Sequence, residues 1–190
     1  MSHLKTTIRA IGAPINLVFC GLDNAGKTAM YIRLTTGKFV TDLKPTLAST
    51  LDAINLEEDD EFVKVTIIDL GGQKGLRDLW SSYLEKCNAI IYVVDAYDSA
   101  RFLESKNEFQ ARVVPLIKQI PCIVVCNKLD LIQADSKVRD NSELIREVEN
   151  TIQKALDVPK GDNFSIIAAS QKTGYGLPKV KRRLISHFVK

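Results

Sequence analysis

The run Gly21-Leu22-Asp23-Asn24-Ala25-Gly26-Lys27-Thr28 narrows the folds open to this chain more than any other feature. It matches the pattern GxxxxGK[ST], directly after the apolar segment Ile15–Cys20 and before a stretch of helical character. A strand, a glycine-containing turn and a helix in that order gather backbone N–H groups at the positive end of the helix, an arrangement that binds phosphate oxygens. The glycines let the chain turn tightly enough to aim successive N–H groups inward. Asp23, Asn24, Ala25, Gly26, Lys27 and Thr28 are therefore expected to contact phosphate. Lys27 adds a point charge for the β- and γ-phosphates, and the Thr28 hydroxyl is a Mg²⁺ ligand.

Such a loop needs an α/β sheet around it, and the rest of the chain has the pattern of one. Near-continuous apolar runs at Ile15–Cys20, Phe62–Ile68, Ala89–Val94, Pro121–Cys126 and Phe164–Ala169 suit parallel strands covered on both faces. Thr50–Leu56 reads as a further strand, joined to Phe62–Ile68 through the acidic turn Glu57–Glu61 and so antiparallel at an edge. Between the strands lie helical stripes: Phe109, Val113, Leu116 and Ile120; Leu144/Ile145, Val148, Ile152 and Leu156; Leu177, Val180, Leu184 and Phe188. These stripes are assigned to core packing. The alternation predicts a right-handed α/β sheet with helices on both faces, and 190 residues fit one domain.

Composition removes several function classes. Lys and Arg total 26 against 23 Asp and Glu, and a net charge of +3 gives no reason to invoke nucleic acid. Cys20, Cys87, Cys122 and Cys126 form no CxxC pair, so they are expected to be buried thiols in a reducing compartment rather than a zinc site. No apolar run approaches the roughly 20 residues of a membrane span. Ser2 stands where N-myristoylation needs glycine, and His187-Phe188-Val189-Lys190 is no prenylation signal. A cytoplasmic protein is expected.

Four further motifs belong with the phosphate loop. Asp69-Leu70-Gly71-Gly72-Gln73 follows an apolar strand. A carboxylate there holds Mg²⁺, the Gly72 N–H can reach a γ-phosphate, and the Gln73 amide can orient an attacking water. Asn127-Lys128-Leu129-Asp130 follows another strand, at the edge where ligands of α/β sheets bind. Asp130 can accept from guanine N1–H and its N2 amino group, a donor pair that adenine lacks. Asn127 can tie the base to the phosphate loop, and the Lys128 stem can lie along the base. Backbone N–H groups of Ser170-Gln171-Lys172 can reach guanine O6. In Lys44-Pro45-Thr46, Thr46 can complete a Mg²⁺ shell when a γ-phosphate is present.

In this order and spacing the five motifs resemble the Ras superfamily over about residues 15–188, and Leu79-Trp80 with the Asp69–Gln73 variant is similar to its Arf/Arl (ADP-ribosylation-factor-like) branch. The resemblance implies a P-loop small G domain over residues 14–190 with a six-stranded, mostly parallel sheet. It implies GTP/GDP binding with Mg²⁺, slow GTP hydrolysis with Gln73 as the catalytic residue, and a role in membrane traffic or intracellular organisation. Thr46 falls in the implied switch I and Gly72–Tyr83 in switch II. A guanine-nucleotide exchange factor, a GTPase-activating protein and an effector protein are the implied partners. The chain departs from the family pattern at Ser2 and Ala48, and at Ser49 and Ile68, where many members present aromatics; Tyr83 keeps one.

Two other functions use the same loop. A P-loop kinase or ATPase is disfavoured by Asn127–Asp130 and by the lack of a second substrate lid. A nucleotide-locked scaffold is disfavoured by Gln73, although the Asp23 carboxylate beside a γ-phosphate would repel developing charge and slow hydrolysis. Ahead of the domain, Leu4, Ile8 and Ile11 make one stripe of a short amphipathic helix over residues 1–13, with Lys5 and Arg9 off it and Gly12 and Pro14 ending it. It either packs permanently on the domain or makes weak reversible membrane contact through residues 2–11 in the GTP form.

Overall fold

Six apolar runs become six strands of one sheet. The computed structural model describes residues 14–46, 50–59, 61–117, 120–136 and 141–189. The amphipathic helix expected over residues 1–13 lies outside them, as do Ala48 and Ser49. In chain order the strands are β1 (Ile15–Cys20), β2 (Thr50–Glu58), β3 (Glu61–Asp69), β4 (Ala89–Asp95), β5 (Cys122–Asn127) and β6 (Phe164–Ala168). The sheet order is β2-β3-β1-β4-β5-β6, with β2 antiparallel to β3 and every other pair parallel. The expected six-stranded α/β fold is the one observed.

Alternate residues of the central strands feed two cores. Val18 and Cys20 of β1, Ile90 and Tyr92 of β4, and Val124 of β5 face one side. They meet Trp80 of α2 (Trp80–Leu84), Phe109 after α3 (Phe102–Glu108), and Val148 and Ile152 of α6 (Asn141–Leu156). Leu17, Phe19, Ile91, Val93 and Val125 face the other side, against Met30 and Leu34 of α1 (Lys27–Thr36) and Val180 and Leu184 of α7 (Leu177–Ile185). Near-continuous apolar strands follow from this double cover, and each such side chain contributes roughly 1.5–3 kcal/mol on burial.

Three details differ from the sequence expectation. The acidic turn Glu57–Glu61 is shorter, because the ladder continues through Glu57↔Phe62 to Glu58↔Glu61. Its charge is answered across the fold: Glu58 lies 3.9 Å from Lys181 and 3.7 Å from Arg182, and Asp59 lies 3.2 Å from Arg182. The stripe expected to run from Phe109 to Ile120 begins earlier, at Phe102, and passes through a π-helical turn at Phe109–Val113 into the short α4 (Val114–Ile117). Phe109 and Val113 are still buried, but Ile120 lies past the helix. Phe188 likewise falls beyond the end of α7, packed partly against the core. α5 (Leu129–Asp135) follows the Asn127–Asp130 motif directly.

Candidate nucleotide site

Parallel register brings the motifs to one edge of the sheet. Phe19 pairs with Asp69 and with Ile91, Asp95 pairs with Asn127, and Cys126 pairs with Ala168. The loops after β1, β3, β5 and β6 therefore emerge side by side. β1 lies between β3 and β4, so the chain leaves it on one side and returns on the other, the place where α/β sheets bind ligands.

The phosphate loop is held in a shape that side chains would block. Gly21 has φ of +133°, and a Cβ there would stand 2.2 Å from the Val93 carbonyl oxygen. Asn24 has φ of +61°, and Gly26, φ +89°, precedes the first turn of α1. Lys27 is buried, and its Nζ donates to the Leu22 carbonyl at 2.8 Å across the loop. Burial pushes the Lys27 ammonium down from its ordinary range, and Asp69 pulls it back up.

At the start of α1 three oxygens meet. Thr28 Oγ1 donates to Asp69 Oδ2 at 2.5 Å, Thr46 Oγ1 lies 3.2 Å from the same oxygen, and the two hydroxyls are 2.9 Å apart. Burial raises the Asp69 carboxyl above its usual range, against the Thr28 hydrogen bond and the Lys27 charge. Asp69 Oδ1 is buried and has no hydrogen-bond partner among the described residues. A carboxylate with one oxygen orphaned and two hydroxyls on the other is a hard-oxygen donor set, which fits a small divalent cation that keeps some of its own waters. Among the described residues no group of three His, Cys, Asp or Glu side chains offers a softer alternative.

The chain then turns under the phosphate loop. A Cβ on Gly72 would lie 2.2 Å from the Asp23 nitrogen and 2.3 Å from the Leu22 carbonyl carbon, so only glycine allows this approach. Gln73 follows in extended conformation, exposed, as a wall of a cavity of about 450 Å³. Lys27, Thr28 and Thr46 line the same cavity, and Lys128 and Gln171 close its far end.

That far end is built by hydrogen bonds. Asn127 Nδ2 donates to the Ala25 carbonyl at 2.8 Å, the tie to the phosphate loop expected from sequence. Lys128 has φ of +64°, and its Nζ lies 2.7 Å from Asp95 Oδ2. Ser170 Oγ donates to Asp130 Oδ1 at 2.5 Å. Two expectations for Ser170–Lys172 change. The Ser170 N–H already donates to the Tyr175 carbonyl at 3.0 Å, and the Gln171 N–H to Asn127 Oδ1 at 3.3 Å. The Ser170 N–H is thus engaged within its own loop, and its hydroxyl supports Asp130. Lys172 is exposed, and Gln171 Oε1 is buried without a partner among the described residues.

The model of the ADP-ribosylation factor family matches residues 2–188. This chain belongs to that family. Over 175 residues it is 31% identical to ADP-ribosylation factor-like protein 3 of Caenorhabditis elegans, covering 92% of this chain and 88% of that one. It is 35% identical over 121 residues to the small COPII coat GTPase SAR1 of Encephalitozoon cuniculi, covering 63% of this chain and 52% of the relative. Among solved structures, the Arl6 BBS3 small GTPase of Trypanosoma brucei with bound nucleotide analogue GppNp aligns with a TM-score of 0.63 and 25% identity, covering 92% of this chain and 99% of that one. As an Arf family member the protein is a small GTPase: a switch that binds guanine nucleotides and hydrolyses GTP.

One expectation for this Arf family protein is corrected, and two residues are added. Asp23 does not stand as a bare carboxylate against the γ-phosphate position. Arg101 Nη2 donates to Asp23 Oδ1 at 2.8 Å, and Arg77 Nη2 lies 3.4 Å from the same oxygen. The Arg101 hydrogen bond, with both guanidinium charges, holds the Asp23 carboxyl below its usual range. The repulsion expected from sequence is therefore offset by two cations. Neither arginine belongs to the five motifs, although Arg77 lies within Gly72–Tyr83; they lie 54 and 78 residues from Asp23 in the chain, and only folding brings them there.

Proposed function

We propose that this small GTPase holds GTP or GDP together with Mg²⁺ in the cavity between the phosphate loop and Asn127–Asp130, hydrolyses GTP slowly unaided, and signals by reordering the segments around Thr46 and Gly72–Tyr83. The observation that carries the reading is the meeting of Thr28, Thr46 and the half-orphaned Asp69 carboxylate at the mouth of the phosphate loop. Thr28, Thr46 and Asp69 would hold the Mg²⁺, which when bound neutralises charge on the β- and γ-phosphate oxygens.

The chain's own groups do the rest. Backbone N–H groups of Asp23–Thr28 and the Lys27 ammonium bind the phosphates. The Gly72 N–H donates to the γ-phosphate, and the Gln73 amide orients the attacking water. Asp130, steadied by Ser170, accepts two hydrogen bonds from guanine. The Lys128 stem lies along the base while its ammonium stays paired with Asp95. The Lys172 N–H, with Gln171, serves the O6 side. An exchange factor, an activating protein and effectors act on the moving segments, where Leu79 is 56% exposed. Kinship with a coat GTPase supports a role in membrane traffic. Weak reversible membrane contact through residues 2–11 in the GTP form, from a cytoplasmic pool, belongs to the same reading.

Asp130→Asn tests it. The amide presents a donor to guanine N1–H, and an unmatched buried group costs about 1–3 kcal/mol, so GTP and GDP affinity should fall roughly tenfold to a hundredfold. Xanthine nucleotides, whose changed edge offers an acceptor, should bind better to the variant than to the wild type. Unchanged GTP binding would refute the assignment.

A further inference from the structure

Arg77 is 2% exposed, and its guanidinium joins three parts of the chain. Nε donates to the Gly72 carbonyl at 2.7 Å. Nη2 donates to Glu104 Oε1 at 2.7 Å and reaches Asp23 Oδ1 at 3.4 Å, while Nη1 donates to Glu108 Oε1 at 3.2 Å. Burying a guanidinium is costly unless its donors are matched, and here they are. The partners at 104 and 108 sit on α3, which is itself fixed. Phe109 and Val113 are buried after it, and the Tyr92 hydroxyl donates to the Ser105 carbonyl at 3.0 Å.

The Gly72 carbonyl belongs to the peptide that leads into Gln73. Holding that oxygen fixes the plane from which the Gln73 side chain departs. The preceding carbonyl, of Gly71, is held in the same way by Trp80 Nε1 at 2.9 Å. Glu104 also accepts from Arg101 Nε at 2.9 Å, and Arg101 Nη1 donates to the Asp23 carbonyl at 3.0 Å. One carboxylate on α3 thus anchors both the phosphate loop, through Arg101, and the Gly72–Gln73 peptide, through Arg77.

We propose that Arg77 is a positioning residue for GTP hydrolysis: it aims the Gly72–Gln73 peptide at the phosphate loop, and Glu104 and Glu108 of α3 hold it there. The inference rests on the nucleotide reading above. It makes α3, which lines none of the nucleotide cavity, a second place from which turnover is set. A partner or substitution that pulls Glu104 or Glu108 away from Arg77 lowers the hydrolysis rate without touching the nucleotide.

Arg77→Lys separates positioning from bulk stability. The charge remains, but one ammonium cannot serve the Gly72 carbonyl and both α3 carboxylates in the geometry of a planar fork. Single-turnover hydrolysis of preloaded GTP is measured beside GDP affinity and Trp80 emission. The expected result is a rate about tenfold or more below wild type with GDP affinity within about twofold, since a bond to a charged group is lost at the reacting end alone. The change in Trp80 emission on exchanging GDP for a GTP analogue should shrink as well. The Glu108→Gln variant, which spares the Glu104–Arg101 contact to the phosphate loop, should slow hydrolysis in the same direction, and combining it with Arg77→Lys should add little. Wild-type turnover in Arg77→Lys, or equal losses of rate and GDP affinity, overturns the proposal. If Arg77→Lys does not fold, wild-type turnover in Glu108→Gln overturns it. A wild-type protein that binds GTP without hydrolysing it strikes the nucleotide reading itself, and the inference with it.

Discussion

Alanine at Gly72 would place one methyl group between two backbones. The new Cβ would stand 2.2 Å from the Asp23 nitrogen, 2.3 Å from the Leu22 carbonyl carbon and 2.6 Å from the Gly21 oxygen. Ordinary contact begins near 3.4 Å, so the two segments must part by about 1.2 Å. The phosphate loop cannot yield. Leu22 and Ala25 are buried, and Gly21 already lies against the Val93 carbonyl. The Gly72–Gln73 segment must move instead. A hydrogen bond of about 2.9 Å from the Gly72 N–H to a γ-phosphate would stretch to about 4 Å, beyond the working limit of roughly 3.2 Å. Losing a bond to a charged group costs about 1.5–3 kcal/mol, which is roughly a tenfold to hundredfold loss of affinity. GDP, with no γ-phosphate, should bind as before. Competition against labelled GDP, using GDP and a non-hydrolysable GTP analogue, gives the ratio directly. Gly75→Ala is the control, since nothing lies within 4 Å of a Cβ there. A Gly72→Ala variant with the wild-type ratio of GTP to GDP affinity would refute the assignment of Gly72 as the γ-phosphate donor.

Gln73→Leu should bind GTP normally and resist stimulated hydrolysis, against a wild-type intrinsic rate on the order of 10⁻³ per second or below; a variant as fast as wild type means another residue orients the water. Trp80 is 0% exposed and bonded to Gly71, so its emission should change when GDP is exchanged for GTP, and identical spectra would argue that the turn after Gly72 does not move. Burial, with Arg183 nearby, pushes the His187 imidazole below its ordinary range. Below the usual value of about 6.5 the unfolded chain then binds a proton that the folded chain does not, so stability is lost as pH falls through that window. Urea midpoints measured between about pH 7 and pH 5 should fall less for His187→Gln than for wild type, and parallel curves would show that His187 is not the group responsible.

The sequence by itself determined the parts whose causes are local. Ile15–Cys20 is a strand whose last four residues, Leu17–Cys20, are apolar and buried in a row, and Gly21–Thr28 is a phosphate loop because its glycines free the backbone where its N–H groups must converge. The two-sided sheet and the antiparallel edge were legible because period and spacing report which face each residue takes, and the Asn127 tie to the phosphate loop because the Asn127–Asp130 motif stands at a strand end. The structure alone decided where charges end up. Asp23 reads from sequence as a carboxylate facing phosphate, and the fold turns it to Arg101 and Arg77. Arg77 carries no motif, yet it is the buried link between Gly72 and α3. Ser170 looked like a donor to the base and is a brace for Asp130. Glu57, Glu58 and Glu61 read from sequence as turn residues and are ladder positions, and Glu58 is answered by α7. A hydrophobic pattern repeats and can be counted along the chain. An ion pair depends on which two side chains the packing of whole elements brings within about 4 Å, and that distance exists only in the folded molecule.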